Sequence, residues 1–432
     1  MSLIDELEAR GLYQECTDRA GLGELLAAHA PVSVYAGYDP TSSSLHVGNL
    51  VPTIMLKRFQ LAGHRPVIVV GGATGMIGDP SGKSAERNLL DDATLATNIA
   101  GIHGQLSKLM TFDSSPTGAV ITNNADWTRG ISFLEFLRDV GKYLTINWMM
   151  AKDSVKNRLE GESGISYTEF SYMLLQAFDF VHLAKQYGCR LQVGGSDQYG
   201  NITAGCELGR KRGDVPQLFG LVAPLLLDST GQKMGKTSTG ERIWLDAERT
   251  TPYAFYQYWF NRPDSEVPKL LRMFSLEPVA RVEEILKESA ADPAKRVAQR
   301  ELARGMTGWI HGAGVIKGIE DSASDMFSDI TKLSDAQLAN MAGTVPSFDV
   351  PKAELEAGIG LVDLLVRVNL EDSKGAARRT ITGGGAYVND VAVKDANKKL
   401  TLADLMTETR LVLRKGKKSY AIVRVVPAAE HK

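Results

Sequence analysis

The stretch that decides the fold is VSVYAGYDPTSSSLHVGN, residues 32–49. Val32, Val34 and Ala36 alternate after Pro31 and predict a short strand. Gly37, Asp39 and Pro40 stop it, and residues 41–44 offer N-caps for a helix expected from about residue 45 to Gly63. His46-Val47-Gly48-Asn49 then falls on the first helical turn, where free N–H groups and the helix dipole favour phosphate. Gly48 has no side chain, so a base or ribose can approach the backbone closely. His46 and Asn49 can both donate to phosphoryl oxygens. The pattern also suits a plain strand–loop–helix whose polar residues only cap, and the stretch alone does not choose.

Outward from it, residues 66–72 (PVIVVGG) form the short apolar run typical of a strand buried in a parallel sheet. Strand, helix and strand at this spacing make a βαβ unit, so the N-terminal half is expected to be an α/β, Rossmann-like, doubly wound domain. The glycine-dense loop 71–88, GGATGMIGDPSGKSAERN, fits neither phosphate fingerprint. The Walker pattern needs four residues between its glycines where Gly78 and Gly82 enclose three, and the dinucleotide spacing also fails. The loop still offers Lys83 and Arg87 as cations. Asp79, just beyond a strand's carboxyl end, either holds an ammonium group or makes an ordinary Asp-Pro turn.

Residues from about 124 to 188 read as a helical insertion. Within it Tyr172, Gln176 and Asp179 share one helix face among apolar neighbours, a stripe that serves a ligand or an internal hydrogen-bond network. Residues 189–193 (CRLQV) predict the next strand, followed by Gly194-Gly195-Ser196-Asp197-Gln198, which suits ribose or amino groups close to backbone. A buried run at 218–227 precedes DSTGQKMGKTSTG, residues 228–240. There Lys233 and Lys236 flank Met234-Gly235 in a flexible loop able to bring cations onto a triphosphate.

The chain of 432 residues is 44% hydrophobic and 23% charged, ordinary for a multidomain soluble protein. No apolar run reaches membrane-span length and the N-terminus lacks a signal-peptide pattern, so the expectation is a cytoplasmic protein without a membrane partner. Cys16, Cys189 and Cys206 never pair at metal spacing, which predicts reduced thiols and no zinc. The net charge of −2 conceals an asymmetry. Residues 373–424 carry 12 Lys/Arg against 4 Asp/Glu, or +8, leaving −10 for the remainder. A basic end on an acidic body points to a polyanion partner or to a merely solvated basic surface.

HVGN after the first strand and KMGKT after the last resemble the paired signatures of class I aminoacyl-tRNA synthetases. The specific resemblance is to the bacterial-type tyrosyl-tRNA synthetases. YAGYDPTSSSLHVGN, GDPSGKSAER, YTEFSYMLLQAFDF and VGGSDQYGNI all look like that family's segments in that family's order. The resemblance implies ATP-dependent activation of L-tyrosine to tyrosyl-adenylate and transfer to the terminal ribose of tRNA-Tyr. Tyr35 and Asp179 would grip the phenolic hydroxyl, with Asp79, Tyr172, Gln176 and Gln198 around the α-ammonium group. Gly37, Asp39, Gly48, Gly195, Asp197 and Gln198 would line the adenosine and the reaction centre. Thr41, His46 and Asn49 would face the phosphates, while Lys83, Arg87, Lys233, Lys236 and Thr237 close over pyrophosphate, with Mg²⁺ accompanying ATP. Many relatives have His at the position of Asn49 and Met-Ser where this chain has Met234-Gly235. Asn still donates, and the glycine is expected only to loosen the loop.

The implied organisation is a catalytic domain over 1–229, a mobile loop over 230–247, a helical domain over 248–320, a linker over 321–352 and a basic RNA-binding domain over 353–432. The aromatic cluster at 253–260 is expected in the core rather than as a base-stacking platform. In the last domain Lys374, Arg378 and Arg379 share a helix face, and Arg414, Lys415, Lys417 and Lys418 sit on a hairpin. Both groups would neutralise tRNA phosphates without reading bases, and no DNA partner is expected. The family also implies a homodimer through the inserted helices. Rival readings are a tryptophanyl-tRNA synthetase, a small nucleotidylyltransferase with a similar His-x-Gly element, and a non-catalytic RNA-binding relative.

Overall fold

The computed structural model describes residues 1–28, 31–81, 90–161, 164–235, 241–328, 330–341, 345–416 and 419–427. By internal contacts the chain divides into two compact units, Met1–Asp246 with Arg262–Gly305 and Ala247–Asn261 with Met306–Lys432.

In the first unit, β1 (Glu15–Cys16), β2 (Ser33–Tyr38), β3 (Arg65–Val70), β4 (Val120–Asn123), β5 (Cys189–Gly195) and β6 (Phe219–Ala223) form one sheet. Their order is β1-β6-β5-β2-β3-β4, parallel throughout except for the antiparallel pairing of β1 with β6. The chain builds outward from β2 through β3 to β4, then returns to β5 and β6 on the other side. The strand order therefore reverses between β2 and β5, where open α/β sheets bind ligands. β2 is buried at every residue but Gly37.

The helix after β2 starts later than its pattern predicts. A single 3-10 turn, Val47–Asn49, precedes the α-helix Leu50–Leu61. The reason is a competing pairing: the Leu245 N–H donates to the Leu45 carbonyl at 2.9 Å and the Val47 N–H to the Ile243 carbonyl at 3.1 Å. His46 is thereby held extended in a bridge to Trp244, and the turn can begin only at Val47.

The insertion is helical, as its composition predicts, and ends in the long helix Tyr167–Tyr187. Ser166 caps its start by accepting the Glu169 N–H at 3.2 Å, and Gly188, at φ +62°, ends it. A buried two-pronged ion pair of Arg158 with Glu169, at 2.7 and 2.8 Å, ties the preceding short helix to it. A Cβ at Gly205, in the helix Tyr199–Arg212, would lie 2.7 Å from a Phe180 ring carbon, so glycine there permits close helix packing.

The stretch 248–320 is largely helical, with its residues shared between the two units. In the second unit the helix Pro252–Phe260 buries Tyr253, Phe255, Tyr256, Tyr258 and Trp259, so the aromatic cluster is core. β7 (Ser347–Pro351), β8 (Ile359–Gly360), β9 (Ala386–Val388), β10 (Val391–Val393), β11 (Lys399–Leu400), β12 (Arg410–Lys415) and β13 (Ser419–Val426) follow. The larger sheet runs β10-β9-β12-β13-β7, and β8 pairs with β11. β7 lies within the stretch read as linker, but it pairs parallel with β13 along its whole length, for instance Phe348 opposite Val423. The helices Leu361–Arg367 and Lys374–Thr382 contribute Leu361, Leu364, Leu365 and Ile381 to one core with Leu411, Leu413 and Val423 from the sheet. Among the described residues no helix is long and apolar enough to cross a membrane.

Candidate active site

A cavity of about 570 Å³ opens at the carboxyl ends of β2 and β5. Its size suits a small molecule with a nucleotide. At its deep end Tyr35, on β2, is buried, and its hydroxyl has no hydrogen-bond partner in the described structure. The Tyr35 ring is held edge-on by Phe180 at 5.1 Å between centroids. Across from it Asp179, on the long helix, accepts the Trp127 indole N–H at 2.8 Å and the Asn124 amide at 3.0 Å. Asn124 is itself fixed, accepting the Ala73 N–H at 2.7 Å. Burial pushes the Asp179 carboxyl up to about 7 despite those two donors. Burial, followed by the nearby Asp179 charge, holds the Tyr35 phenol well above its ordinary value. The Gln192 side-chain oxygen, also on the cavity wall, is buried without a partner among the described residues. Unsatisfied buried groups of this kind are costly unless something supplies the missing bond.

Further out, the Tyr172 hydroxyl donates to Asp39 at 2.9 Å and Thr74 donates to the other Asp39 oxygen at 2.8 Å. Asp79 closes the turn that its sequence offered and also lines the cavity. One oxygen accepts the Ser81 N–H at 2.9 Å, closing a turn, and the other accepts the Gln198 amide at 2.6 Å. Asn201 reaches both Asp79 and Gln198 at 3.3 Å, and Gln176 reaches Gln198 at 3.5 Å. Among the described residues every donor to Asp79 is neutral, so this wall favours a cation.

At the outer end the cavity is lined by Gly37, Thr41, His46, Gly48, Asn49, Gly195 and Asp197. A Cβ at Gly37 would meet nothing within 4 Å, so that glycine leaves open space in the cavity. A Cβ at Gly48 would lie 2.8 Å from the His46 ring. Glycine there is required by the imidazole, which folds across the turn and accepts the Gly48 N–H on Nδ1 at 3.0 Å. In the neutral ring that bond assigns the proton to Nε2. The Asn49 side-chain oxygen accepts the His46 N–H at 3.0 Å, which commits its amide NH₂ to the role of donor. Lys233 pairs with Asp197 at 3.3 Å. Gly235 is more than a loosening residue: it sits at φ +114°, disfavoured for side-chain-bearing residues, and its carbonyl accepts the Ile243 N–H at 2.9 Å. Lys83, Arg87, Lys236 and Thr237 lie outside the described residues.

The sequence reading missed Thr74, Asn124, Trp127, Gln192 and Asn201. Asn124 directly follows β4, at a strand's carboxyl end, the placement that drew attention to Asp79 and Asp197. Trp127 and Asn201 carried no comparable mark. Among the described residues no three His, Cys, Asp or Glu side chains gather as a metal site.

In the second unit Lys374, Arg378 and Arg379 are exposed on the helix Lys374–Thr382, with Lys374 paired to Asp363 at 2.6 Å. Lys415 pairs with Glu371 at 3.0 Å. Arg414 is committed to the sheet. It bonds Asp390 and stacks over Tyr387, 3.6 Å from the ring centroid, with its side chain only 13% exposed. Lys417 and Lys418 lie outside the described residues.

Residues 27–328 match the family described as tRNA synthetases class I (W and Y), and residues 338–423 match the tyrosine–tRNA ligase SYY-like C-terminal domain. The tyrosine–tRNA ligase of Rhodopirellula baltica is 48% identical over 98% of this chain and 96% of its own length. That of Opitutus terrae is 47% identical over 99% of this chain and 100% of its own length. Among solved structures, a C-terminally truncated mitochondrial tyrosyl-tRNA synthetase of Aspergillus nidulans superposes with a TM-score of 0.68 at 33% identity, covering 75% of this chain and 94% of that one.

Proposed function

The chain belongs to the tyrosine–tRNA ligase family of class I tRNA synthetases, and from that premise we propose the residue-by-residue reading that follows. It is an enzyme that activates L-tyrosine with ATP and charges tRNA; the tryptophanyl and non-catalytic readings are not favoured. The observation that carries the site reading is the buried Tyr35 hydroxyl, left without a partner among the described residues, opposite Asp179. A phenol entering this slot donates to the Asp179 carboxylate and accepts from Tyr35, completing both. The ammonium group of the amino acid then meets Asp79, Gln176 and Gln198, with Tyr172 and Asp39 beside them. Asn124 and Trp127 orient Asp179.

The tyrosine carboxylate is already a nucleophile, so adenylation requires alignment and charge stabilisation rather than a catalytic base. Its oxygen attacks the α-phosphorus, forming the mixed anhydride as the bond to pyrophosphate breaks. Gly37 and Gly195 leave room for the adenylate, and Asp197 suits the ribose hydroxyls. His46 Nε2–H, the Asn49 amide and Thr41 donate toward the phosphates, and Lys233 must exchange Asp197 for pyrophosphate. Lys83, Arg87, Lys236 and Thr237 are assigned to the same task by their sequence positions. Mg²⁺ accompanying ATP would spread charge on its phosphate chain. A ribose hydroxyl of the tRNA end then attacks the tyrosyl carbonyl and AMP departs.

The basic C-terminal unit is proposed to hold tRNA-Tyr through Arg378 and Arg379, with Lys374, Lys415, Lys417 and Lys418 around them. Phe133, Leu134, Ile146 and Tyr167 of the insertion are each more than 60% exposed, which supports a homodimer through this face. Three free cysteines suit the reducing cytoplasm. The test is pyrophosphate exchange into ATP driven separately by tyrosine, phenylalanine and tryptophan. Exchange supported by tyrosine alone is expected, and exchange led by tryptophan would overturn the slot assignment.

A further inference from the structure

Two cationic side chains, Lys233 and Arg242, line the cavity among the described residues. Lys233 is neutralised by Asp197 at 3.3 Å. Arg242 is exposed and has no carboxylate partner among the described residues. Its guanidinium carbon lies 5.7 Å from the centroid of the Trp244 ring. Trp244 in turn pairs with His46 through a β-bridge, and their rings meet edge-on at 6.1 Å. Ile243, between Arg242 and Trp244, is clasped on both sides: its N–H donates to the Gly235 carbonyl at 2.9 Å and its carbonyl accepts the Val47 N–H at 3.1 Å. Arg242 therefore stands on a short segment anchored at once to the start of the KMGKT loop and to the turn that carries His46.

Resting on the reading of this cavity as an adenylation site, we infer that Arg242 is a substrate-binding residue for the phosphate chain of ATP. A guanidinium presents a planar fork that matches two phosphoryl oxygens at once, and it stays charged at any working pH. Trp244 is its positioning residue. The indole face holds the cation by cation–π attraction while the indole edge braces His46, so both phosphate-directed groups share one support. Neither the HVGN nor the KMGKT motif contains this cation.

The test uses the full-length chain with Arg242→Gln and Arg242→Lys, and titrates each calorimetrically with ATP and with AMP. Arg242→Gln is expected to weaken ATP by roughly tenfold, the loss of one charge-assisted contact, while AMP binding changes by less than about twofold. Arg242→Lys is expected to restore part of the ATP affinity, and the affinity for tyrosine should hold in both variants. Unchanged ATP binding in Arg242→Gln, or an equal loss of ATP and AMP, would overturn the inference. A wild-type chain that binds ATP but exchanges no pyrophosphate with tyrosine would sink the adenylation reading instead, and the ATP-to-AMP comparison would still decide the role of Arg242.

Discussion

Two tyrosine-lined polar clusters in this molecule are built on opposite principles. In the second unit Arg414 lies over Tyr387, bonds Asp390 and is flanked across the strands by Tyr420, so its charge is matched. In the first unit Tyr35 and Asp179 face one cavity. Asp179 has its two neutral donors, and the Tyr35 hydroxyl has no partner among the described residues. One cluster matches its charge within the protein and leaves only the Arg414 Nε buried and unpaired, outside the cavity lining; the other leaves the Tyr35 hydroxyl unpaired on the cavity wall. Because an unpaired buried polar group is destabilising, its persistence on a cavity wall supports the proposal that a substrate group belongs there. Exposed charge, by contrast, is a poor guide, since Lys374, Arg414 and Lys415 looked alike in sequence and all have protein partners.

The sharpest way to break this contrast is Asp179→Ala. It removes the proposed acceptor for the phenol and should lower kcat/KM for tyrosine by roughly 10²-fold, about 3 kcal/mol, while phenylalanine is affected far less. Equal losses for both amino acids in competition kinetics would show that Asp179 only shapes the pocket. Arg414→Ala should act in the opposite sense. It should destabilise the second unit by about 1–2 kcal/mol, read as a lower melting transition, with tyrosine-dependent pyrophosphate exchange unchanged. A variant as stable as the parent, but weaker in tRNA charging, would return Arg414 to the RNA-facing set.

Tyr35→Phe gives a smaller effect with a distinctive sign. Deleting a hydroxyl that has no partner should leave stability without tyrosine equal or slightly higher, yet weaken tyrosine by roughly five- to tenfold. A loss of stability of more than about 1 kcal/mol in denaturant titration would mean that the hydroxyl is already bonded, to water for example. The smallest effect concerns pH. With its carboxyl raised to about 7 from an ordinary 3.8, Asp179 favours the folded protein when protonated. That contribution is fully present below about pH 4 and is lost as pH rises through 7. A bound phenol donates to the ionised form and lowers this value again. Tyrosine affinity should therefore rise several-fold from pH 5.5 to about 7 and then level off, with a proton released on binding near pH 6. Calorimetry in buffers of different ionisation enthalpy reads that proton directly.

The frame of this site was legible because it obeys local periodicity. The strand bearing Tyr35 and the helix face bearing Tyr172, Gln176 and Asp179 are set by alternation and by 3.6-residue spacing. The delayed helix at Val47–Asn49 was not legible, because its cause is a pairing with residues nearly two hundred positions away. Asn124 and Trp127 escaped for the same reason, reaching Asp179 from 55 and 52 residues off. Gly235 was misjudged because composition does not reveal a positive φ. The strand Ser347–Pro351 was read as linker because its polar and apolar residues resemble a loop until β13 supplies a partner.

The slot between Tyr35 and Asp179 is proposed to be an incomplete hydrogen-bond set that a phenol completes. Its most direct test is equilibrium binding of L-tyrosine and of L-phenylalanine to the full-length chain without ATP. Tyrosine is predicted to bind at least about 10²-fold more tightly, roughly 3 kcal/mol. Equal affinities for the two amino acids would contradict it.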